Sequence, residues 1–315
     1  MLENNLKLSF EWDLKTIFGI ILSIAGLIWA FHDFQFKNFS ISMAEAKFFY
    51  VIIACFSIAF SVWLRAIRWQ LLIKSDKVNI GQLYNIEMIG YFANNVFPLR
   101  VGEFYRGVLL SNKTGQSKSY SLGTIALERM TDMLGLIILF GFLFLYYPLP
   151  AELKLWGTRV LIFSIIIVVI LVLLKFITKS DTTTIFKSKL LVQFIHGLTG
   201  INFTDFLKII GWTLLIWIIY WFDTYLIQYA FDLSMTWQET LMVLILTSLA
   251  MAIPSAPGMI GTYHAAVKFT MVNMLNYDVD ISNAFSIILH AYGFLTLTGI
   301  GAYFFLMTFK KDNKK

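Results

Sequence analysis

Charged side chains within apolar sequence are the first residues here that could do chemistry. Residues 91–132 read YFANNVFPLRVGEFYRGVLLSNKTGQSKSYSLGTIALERMTD, in which asparagines, a proline, glycines and alternating charges interrupt apolar stretches. Glu128 and Asp132 are four residues apart, so both carboxylates can lie on one face of a helix. Glu103 and Arg106 are three apart and can face each other. Each charge would cost about 2.5–3.5 kcal/mol at the centre of a membrane helix, so pairing or an aqueous cavity must offset it.

These charges allow two interpretations, which the sequence leaves equally open. The arginines could hold a lipid headgroup phosphate through bidentate hydrogen bonds, with the carboxylates orienting them or binding a cation or proton. Alternatively, the charges could form an internal ion-pair lock between this segment and the next helix. The candidate substrate-binding or translocation residues are Asn95, Arg100, Glu103, Arg106, Glu128, Arg129 and Asp132.

A second interruption, IPSAPGMIGTYH, divides the apolar run 241–274. In both interruptions a proline precedes a glycine by four residues. Non-helical backbone at membrane depth is tolerated where it lies in protein or lines a wet cavity, and the helix ends it creates suit a phosphate or carboxylate. The alternative is an ordinary loop outside the bilayer. The candidate breaks are Pro98 and Gly102, then Pro254, Pro257, Gly258 and Gly261, with His264 beside the second break as a cavity residue.

Composition places these segments in a membrane. Of 315 residues, 58% are hydrophobic and 14% charged, with a mean hydropathy of +0.72, whereas soluble domains contain about 25% charged residues. Several uncharged runs approach the roughly 20 residues that a membrane helix needs. The sequence therefore predicts an all-α polytopic membrane protein. The net charge of +6 lies in loops and the C-terminal tail, which favours membrane topology over nucleic-acid binding.

Loop charges predict the topology. Basic residues place 65–77, 100–120, 175–208 and the C-terminal tail on the cytoplasmic side, so both termini are expected there. Segment 80–110 then enters and leaves from the cytoplasm as a re-entrant hairpin, and segment 241–274 does so from outside. The six predicted full spans are Ile17–Phe31, Phe48–Leu64, Leu122–Tyr147, Trp156–Leu174, Ile209–Ala230 and Ser282–Phe309.

The order of span, hairpin and span occurs twice with opposite orientation. Inverted repeats with broken helices that meet near the midplane are typical of membrane transporters. We expect one transmembrane domain over 1–315, with halves 15–175 and 205–309 and a cytoplasmic linker 176–208.

Other polar residues receive simpler interpretations. Asp223 is expected near an external helix end, His290 as a hydrogen-bonded packing residue, and Glu87 on a wet face of the first hairpin. Arg65 and Arg68 are assigned to the cytoplasmic loop after the second span. No nucleotide-binding loop, metal-ligand spacing or catalytic motif is present, so no cofactor, metal or catalytic residue is predicted and a transporter is favoured over an enzyme.

The motifs resemble those of a known family. NNVFPLRVGEFYR, then ALERMTD, then IPSAPGMIGTYHAA resemble the flippase-like transmembrane region of lysylphosphatidylglycerol synthases, over about residues 15–308. That region is similar to a lipid flippase, and full-length synthases add a soluble aminoacyl transferase, which we expect to be absent because this chain stops at Lys315. The resemblance assigns to the first motif Asn95, Pro98, Arg100, Gly102, Glu103, Arg106, Glu128, Arg129 and Asp132, and to the second Pro254, Pro257, Gly258 and Gly261.

Three functions follow from these observations. The first is movement of a phospholipid or lipid-linked headgroup across the cytoplasmic (inner) membrane through a charged cavity. The second is a membrane-embedded transferase or accessory subunit in lipid or cell-envelope glycan modification. The third is a scaffold that docks a partner enzyme through the basic loop 175–208. A phospholipid is the expected partner, no nucleic acid is expected, and a homodimer and a cytoplasmic partner enzyme remain open.

Overall fold

The described chain is built from α-helices. The computed structural model describes residues 14–32, 35–73, 75–97, 101–147, 188–252 and 256–312, with separate positions between 155 and 170. No strand occurs within those ranges. The helices are α1 Leu14–Phe31, α2 Phe36–Glu45, α3 Phe48–Ile73, α4 Ile80–Val96, α5 Val101–Thr114, α6 Lys118–Tyr146, α7 Lys189–Thr199, α8 Phe203–Gln228, α9 Trp237–Met251, α10 Thr262–Lys268 and α11 Val279–Asp312, and a π-helical turn, Phe269–Met274, follows α10.

Polar side chains at turns determine where several helices start. Asn79 caps α4 and Thr236 caps α9, each in a capping box that satisfies free backbone amides of the first turn. Ser117 and Asn202 cap α6 and α8. These caps interrupt an otherwise apolar chain at points where it reverses direction.

The helix ends gather at two ends of the molecule. At the basic end, Gln116 Nε2 and the Tyr120 hydroxyl donate to the carbonyl of Ile73, at 3.5 and 3.3 Å. This joins the α3–α4 turn to the α5–α6 turn, and an apolar cluster adds α7 and the start of α8. The exposed charges of these turns are mainly lysines, among them Lys77, Lys113, Lys118, Lys189 and Lys208.

The opposite, acidic end joins the remaining turns. The Lys47 amide donates to the Ala230 carbonyl at 2.9 Å, and Asn38 Nδ2 donates to Asp280 at 2.5 Å. The Tyr277 hydroxyl donates to Glu239 at 3.4 Å, which brings the end of the π-helical turn back to the start of α9. Acidic residues that cluster here are Asp232, Glu239, Asp278 and Asp280.

Two helical hairpins therefore start and finish at opposite ends. The α4–α5 hairpin leaves the basic end at Ile80 and returns there at Thr114. Its helices are antiparallel, because Glu87 pairs with Arg106 whereas Asn94, nearer the turn, binds Gly102. The second hairpin, α9 with α10 and the π-helical turn, leaves the acidic end at Trp237 and returns there. Helices α3, α6, α8 and α11 connect the two ends.

Length and composition confirm the predicted class, an all-α polytopic membrane protein. The four helical stretches Phe48–Ile73, Lys118–Tyr146, Phe203–Phe231 and Val279–Thr308 are long and apolar enough to cross a membrane. Helices α4, α5 and α9 contain 17, 14 and 15 residues and are shorter than the roughly 20 residues of a full span.

One predicted helix boundary was wrong, and two segments predicted as connections contain helices. The second span does not end at Leu64, since α3 continues to Ile73 because apolar residues follow its two arginines. Within the polar connection 32–47 lies α2, and within the predicted linker 176–208 lies α7. The fourth predicted span, Trp156–Leu174, lies mostly outside the described residues, as do linker residues 176–187.

Candidate functional site

A group of charged side chains lies between helices α3, α4, α5 and α6. We call it the charge cluster. Most of its members are buried, so the helices that contribute them exclude water from the charges. It consists of Arg65 and Arg68 on α3, Glu87 on α4, Glu103 and Arg106 on α5, and Glu128, Arg129 and Asp132 on α6.

Glu128 is the centre of the cluster because four arginines contact its carboxylate. Arg106 donates from Nη2 to Oε2 at 2.8 Å, and Arg65 Nη1 donates to Oε1 at 3.3 Å. Arg68 Nη2 lies 3.6 Å from Oε1, and Arg129 Nη2 also donates to Oε1. One fully buried carboxylate thus joins α3, α5 and α6.

Asp132 extends the cluster toward α8. Its two carboxylate oxygens accept from Arg65 at 3.0 Å and Arg68 at 2.6 Å. Arg68 Nη1 also donates to the Thr213 hydroxyl at 2.7 Å, and Trp217 Nε1 donates to the Asp132 carbonyl at 3.0 Å. These bonds attach α8 to both α3 and α6.

Arg106 and Glu103, which the sequence places three residues apart, take different partners. Arg106 donates to Glu87 and Glu128 and stacks on the Trp69 ring, with its guanidinium carbon 4.4 Å from the ring centroid. Glu103 instead lies 3.5 Å from Arg129 Nε. The cluster therefore connects α4 and α5 to α6, and Glu103 and Arg106 do not pair with each other within α5.

The charges of the cluster balance. Four arginines face four carboxylates, and the buried part alone contains three of each. Buried ion pairs offset their desolvation only when geometry and further hydrogen bonds are favourable, and removing one partner leaves an uncompensated charge. The network thus has the composition of an ion-pair lock between the first hairpin and its neighbours.

One edge of the cluster reaches the surface of the protein. The Arg129 and Glu103 side chains are 35% and 29% exposed. Beside them, Phe104 is 59% exposed and Met133, one turn beyond Arg129, is 40% exposed. A charged pair therefore borders apolar side chains that face outward.

The two breaks meet in the interior. The Gly102 amide donates to Asn94 Oδ1 at 2.8 Å, and Asn95 Nδ2 donates to the Thr298 hydroxyl of α11 at 2.9 Å. A Cβ atom on Gly258 would lie 3.6 Å from the Asn95 carbonyl oxygen, so the second break abuts the end of α4. Gly258 has a φ of 66°, a conformation that glycine adopts without strain.

Two of the remaining predicted break residues lie beside Gly258, and the others lie outside the residues that the structure describes. Pro257 begins the 3-10 turn Pro257–Met259, and Gly261, with a φ of 99°, is the residue before α10. Pro98, Arg100 and Pro254 lie outside the described residues.

A hydrogen-bonded chain of two histidines supports the second break. His290 Nε2 lies 2.9 Å from the Gly258 carbonyl, His290 Nδ1 lies 3.3 Å from His264 Nε2, and His264 Nδ1 lies 2.7 Å from the Ser286 hydroxyl. A carbonyl only accepts, so His290 carries its proton on Nε2 and a neutral His290 accepts at Nδ1. His264 must then donate from Nε2 and accept from Ser286. With both imidazoles neutral the chain has one direction, and His290 is a hydrogen-bonded packing residue, as predicted.

Sequence interpretation missed three members of the charge cluster. Arg65 and Arg68 were assigned to a cytoplasmic loop and Glu87 to a wet hairpin face, yet all three are buried. The arginines are three residues apart within WLRAIRWQLLI, so a continuing helix would place both on one face. That spacing was the available signal. Among the residues that the structure describes, no group of three or more His, Cys, Asp or Glu side chains could hold a metal ion.

Comparison with known proteins agrees with this architecture. The family model described as the lysylphosphatidylglycerol synthase TM region matches residues 16–301. The chain belongs to this family. It is 26% identical over 208 residues to UPF0104 membrane protein MJ1078 of Methanocaldococcus jannaschii, covering 63% of this chain and 85% of that protein. It is 28% identical over 138 residues to UPF0104 membrane protein PH1989 of Pyrococcus horikoshii, covering 42% and 40%. No solved structure matches it significantly.

Proposed function

We propose that this membrane protein moves a phospholipid or lipid-linked headgroup across the bilayer and binds its phosphate at the exposed edge of the charge cluster. The observation that carries the proposal is the position of the Arg129–Glu103 pair beside exposed Phe104 and Met133. A phospholipid joins an anionic headgroup to apolar chains, and this edge offers a cation next to apolar surface. Membership of the lysylphosphatidylglycerol synthase TM family supports a lipid-related role.

The contacts suggest how the phosphate enters. Glu103 lies 3.5 Å from Arg129 Nε, longer than a charge-assisted hydrogen bond, and both side chains are partly exposed, so an incoming phosphate can replace Glu103. Arg129 is held on its inner side by Glu128 and Asp132, which fixes the guanidinium for bidentate binding. The buried arginines are already paired, so in this arrangement Arg65, Arg68 and Arg106 position Arg129. Both initial interpretations of the charges then apply to different parts of one cluster.

The two hairpins would form the path that the lipid headgroup follows across the bilayer. We propose that both are re-entrant and form an inverted repeat, with α4–α5 entering from the cytoplasm and α9–α10 from outside. Their opposite attachment ends and the contact of Gly258 with the end of α4 support this arrangement. Asn95 and His264 lie where the breaks meet and would line the path, and Arg100 belongs to the same break in sequence.

Charge asymmetry supports an orientation in the cytoplasmic membrane. The basic end would face the cytoplasm and the acidic end the outside, because cytoplasmic loops are enriched in lysine and arginine. Both termini would then be cytoplasmic. Single cysteines at Asp76 and Asp232, in a Cys55→Ser background, should react with an impermeant maleimide from opposite sides. Labelling of both from one side would contradict the proposed topology.

Reconstituted liposomes test the proposed function. Liposomes that contain the wild-type protein should move headgroup-labelled phospholipids between leaflets faster than empty liposomes do. A labelled lipid of equal chain length without phosphate should move at the same rate with and without the protein. Arg129→Ala should slow phospholipid movement roughly 10- to 100-fold, because charge-assisted hydrogen bonds contribute about 1.5–3 kcal/mol. Arg129→Lys should recover only part of the rate, since an ammonium group cannot bind bidentately.

A matched control separates the site from general charge effects. Lys113→Ala removes an exposed cation from the same hairpin, away from the cluster, and should leave the rate unchanged. Equal rates for wild type, Arg129→Ala and empty liposomes with every phospholipid would refute translocation. Product formation by the purified chain on a lipid-linked sugar or aminoacyl donor would then favour the membrane-embedded transferase.

A further inference from the structure

Asp223 is a buried acid that lies outside the charge cluster. It lies on α8, is fully buried, and is separate from the arginines that neutralise Glu87, Glu128 and Asp132. Among the residues that the structure describes, no basic side chain forms an ion pair with it. The prediction that Asp223 lies at an external helix end does not explain this burial.

The surroundings of Asp223 are hydroxyl groups. Tyr292 on α11 donates to Oδ2 at 3.5 Å, and Ser57 on α3 is also close enough to interact with the carboxyl group. Oδ1 is buried and has no hydrogen-bond partner. An ionised carboxylate in such a place would lack both a counter-charge and part of its hydrogen bonding, which is expensive away from water.

Charged and titratable groups of the surrounding helices do not compensate Asp223. They are engaged elsewhere: Arg65 and Asp132 with each other, Tyr220 with Arg65, Glu239 with the Thr236 cap, and His290 with Gly258. Among the titratable groups that the structure describes on these helices, Tyr292 alone contacts the carboxyl group. Its hydroxyl contributes one hydrogen bond, which falls well short of the ligand number of a metal cation.

We propose that Asp223 is a proton-binding site and that its protonation couples lipid movement to a proton gradient. Binding converts the carboxylate to a neutral carboxylic acid, which the buried site accommodates, and release restores the carboxylate when the site reaches water. Asp223 lies between α3 of the first half and α11 of the second, so a change of charge there acts on the packing of the two halves. The coupling part of this proposal rests on the proposed function, whereas the proton site does not.

Location relative to the charge cluster supports the coupling. Tyr220 precedes Asp223 by three residues on α8, so the two share a helix face, and Arg65 Nε donates to the Tyr220 hydroxyl at 2.8 Å. Tyr220 and Tyr292 also pack against one apolar cluster that contains Ile58 and Val62. Movement of α8 on protonation would therefore be transmitted to Arg65 and the cluster.

Infrared spectroscopy tests the proton site without any transport. A neutral carboxylic acid has a C=O stretching band that is separate from the bands of ionised carboxylates. We expect this band in the folded wild type, its loss in Asp223→Asn, and its retention in Asp232→Asn, which alters an exposed aspartate of the acidic end. Identical spectra of wild type and Asp223→Asn across the pH range of the folded protein would overturn the proton site.

Two further arms separate the remaining outcomes. A band that appears in choline buffer but disappears in sodium buffer would show that Asp223 binds Na⁺, and it would overturn the proposal of a proton. In liposomes, an imposed pH gradient should change the wild-type rate of lipid movement but not that of Asp223→Asn. A wild-type rate that ignores the gradient would overturn the coupling. Absence of any lipid movement would refute the proposed function, and the spectra would still decide whether Asp223 binds a proton.

Discussion

Replacement of Glu128 by glutamine tests whether the charge cluster holds the first hairpin in place. The substitution keeps the side-chain shape and removes one negative charge. Four arginines then face three carboxylates, and in the buried part three face two. Arg106 keeps Glu87, but Arg65, Arg68 and Arg129 must share Asp132 among themselves, with Glu103 available only to Arg129.

The expected loss of stability follows from burial. Removing one partner of a buried ion pair costs about 3–5 kcal/mol, because the other charge is left uncompensated. Glu103→Gln is the matched control at the partly exposed edge, where a single contact of 3.5 Å is expected to contribute no more than about 1 kcal/mol. The two substitutions make the same chemical change in the same cluster and should differ several-fold in effect.

Thermal unfolding in detergent, followed by tryptophan fluorescence, measures the difference. Glu128→Gln should lower the melting temperature by on the order of 10 °C, using the scaling of about 2–4 °C per kcal/mol for soluble domains of up to 250 residues. The double variant Glu128→Gln with Arg106→Gln restores charge balance and should lose less than the sum of the single variants. If Glu128→Gln melts with the wild type while Glu103→Gln does not, the description of Glu128 as the buried centre is wrong.

Two further predictions concern the breaks. Gly102→Ala should destabilise the folded protein by about 1–3 kcal/mol, because the added Cβ would overlap the Gly90 carbonyl oxygen and α4 and α5 would have to separate. Gly141→Ala is the control at an exposed helical position with open space, and it should stabilise the protein by about 1 kcal/mol. Thermal unfolding measures both effects. His290→Phe should lower the stability of the protein by about 1–3 kcal/mol for each buried group that it leaves unpaired. His290→Gln can still donate to the Gly258 carbonyl and should lower the stability less. Equal melting temperatures for the two variants would contradict the hydrogen-bonded chain.

The class of the protein was predictable from sequence because long uncharged runs have few alternatives. The attachment of each hairpin to one end also follows from where charged residues and caps occur, as with Asn79 before α4 and Thr236 before α9. Partners within the charge cluster could not be derived in the same way. A charge three residues from another in one helix can pair locally, but Arg106 pairs with Glu87 across the hairpin and with Glu128 on α6.

Loop charges misled the interpretation where a helix carried the charge into the interior. Arg65 and Arg68 satisfy the rule for a cytoplasmic loop, and the rule has no information about the acids that approach them from α6. Asp223 raises the same difficulty, because its burial depends on α3, α8 and α11 packing together, which no local pattern in the sequence contains.

The contact between the two breaks also has an electrical consequence. If water reaches the turn of each hairpin from opposite sides of the membrane, the transmembrane voltage falls mainly across the thin layer where Gly258 meets the end of α4, and the field there exceeds that of an intact bilayer. A unit charge that crosses the whole voltage drop changes energy by about 2.3 kcal/mol per 100 mV. A charged headgroup that passes this contact would gain or lose that energy over a few ångströms. Voltage would then act directly on the movement of lipids with a net charge, and on lipids without net charge only through the coupled proton.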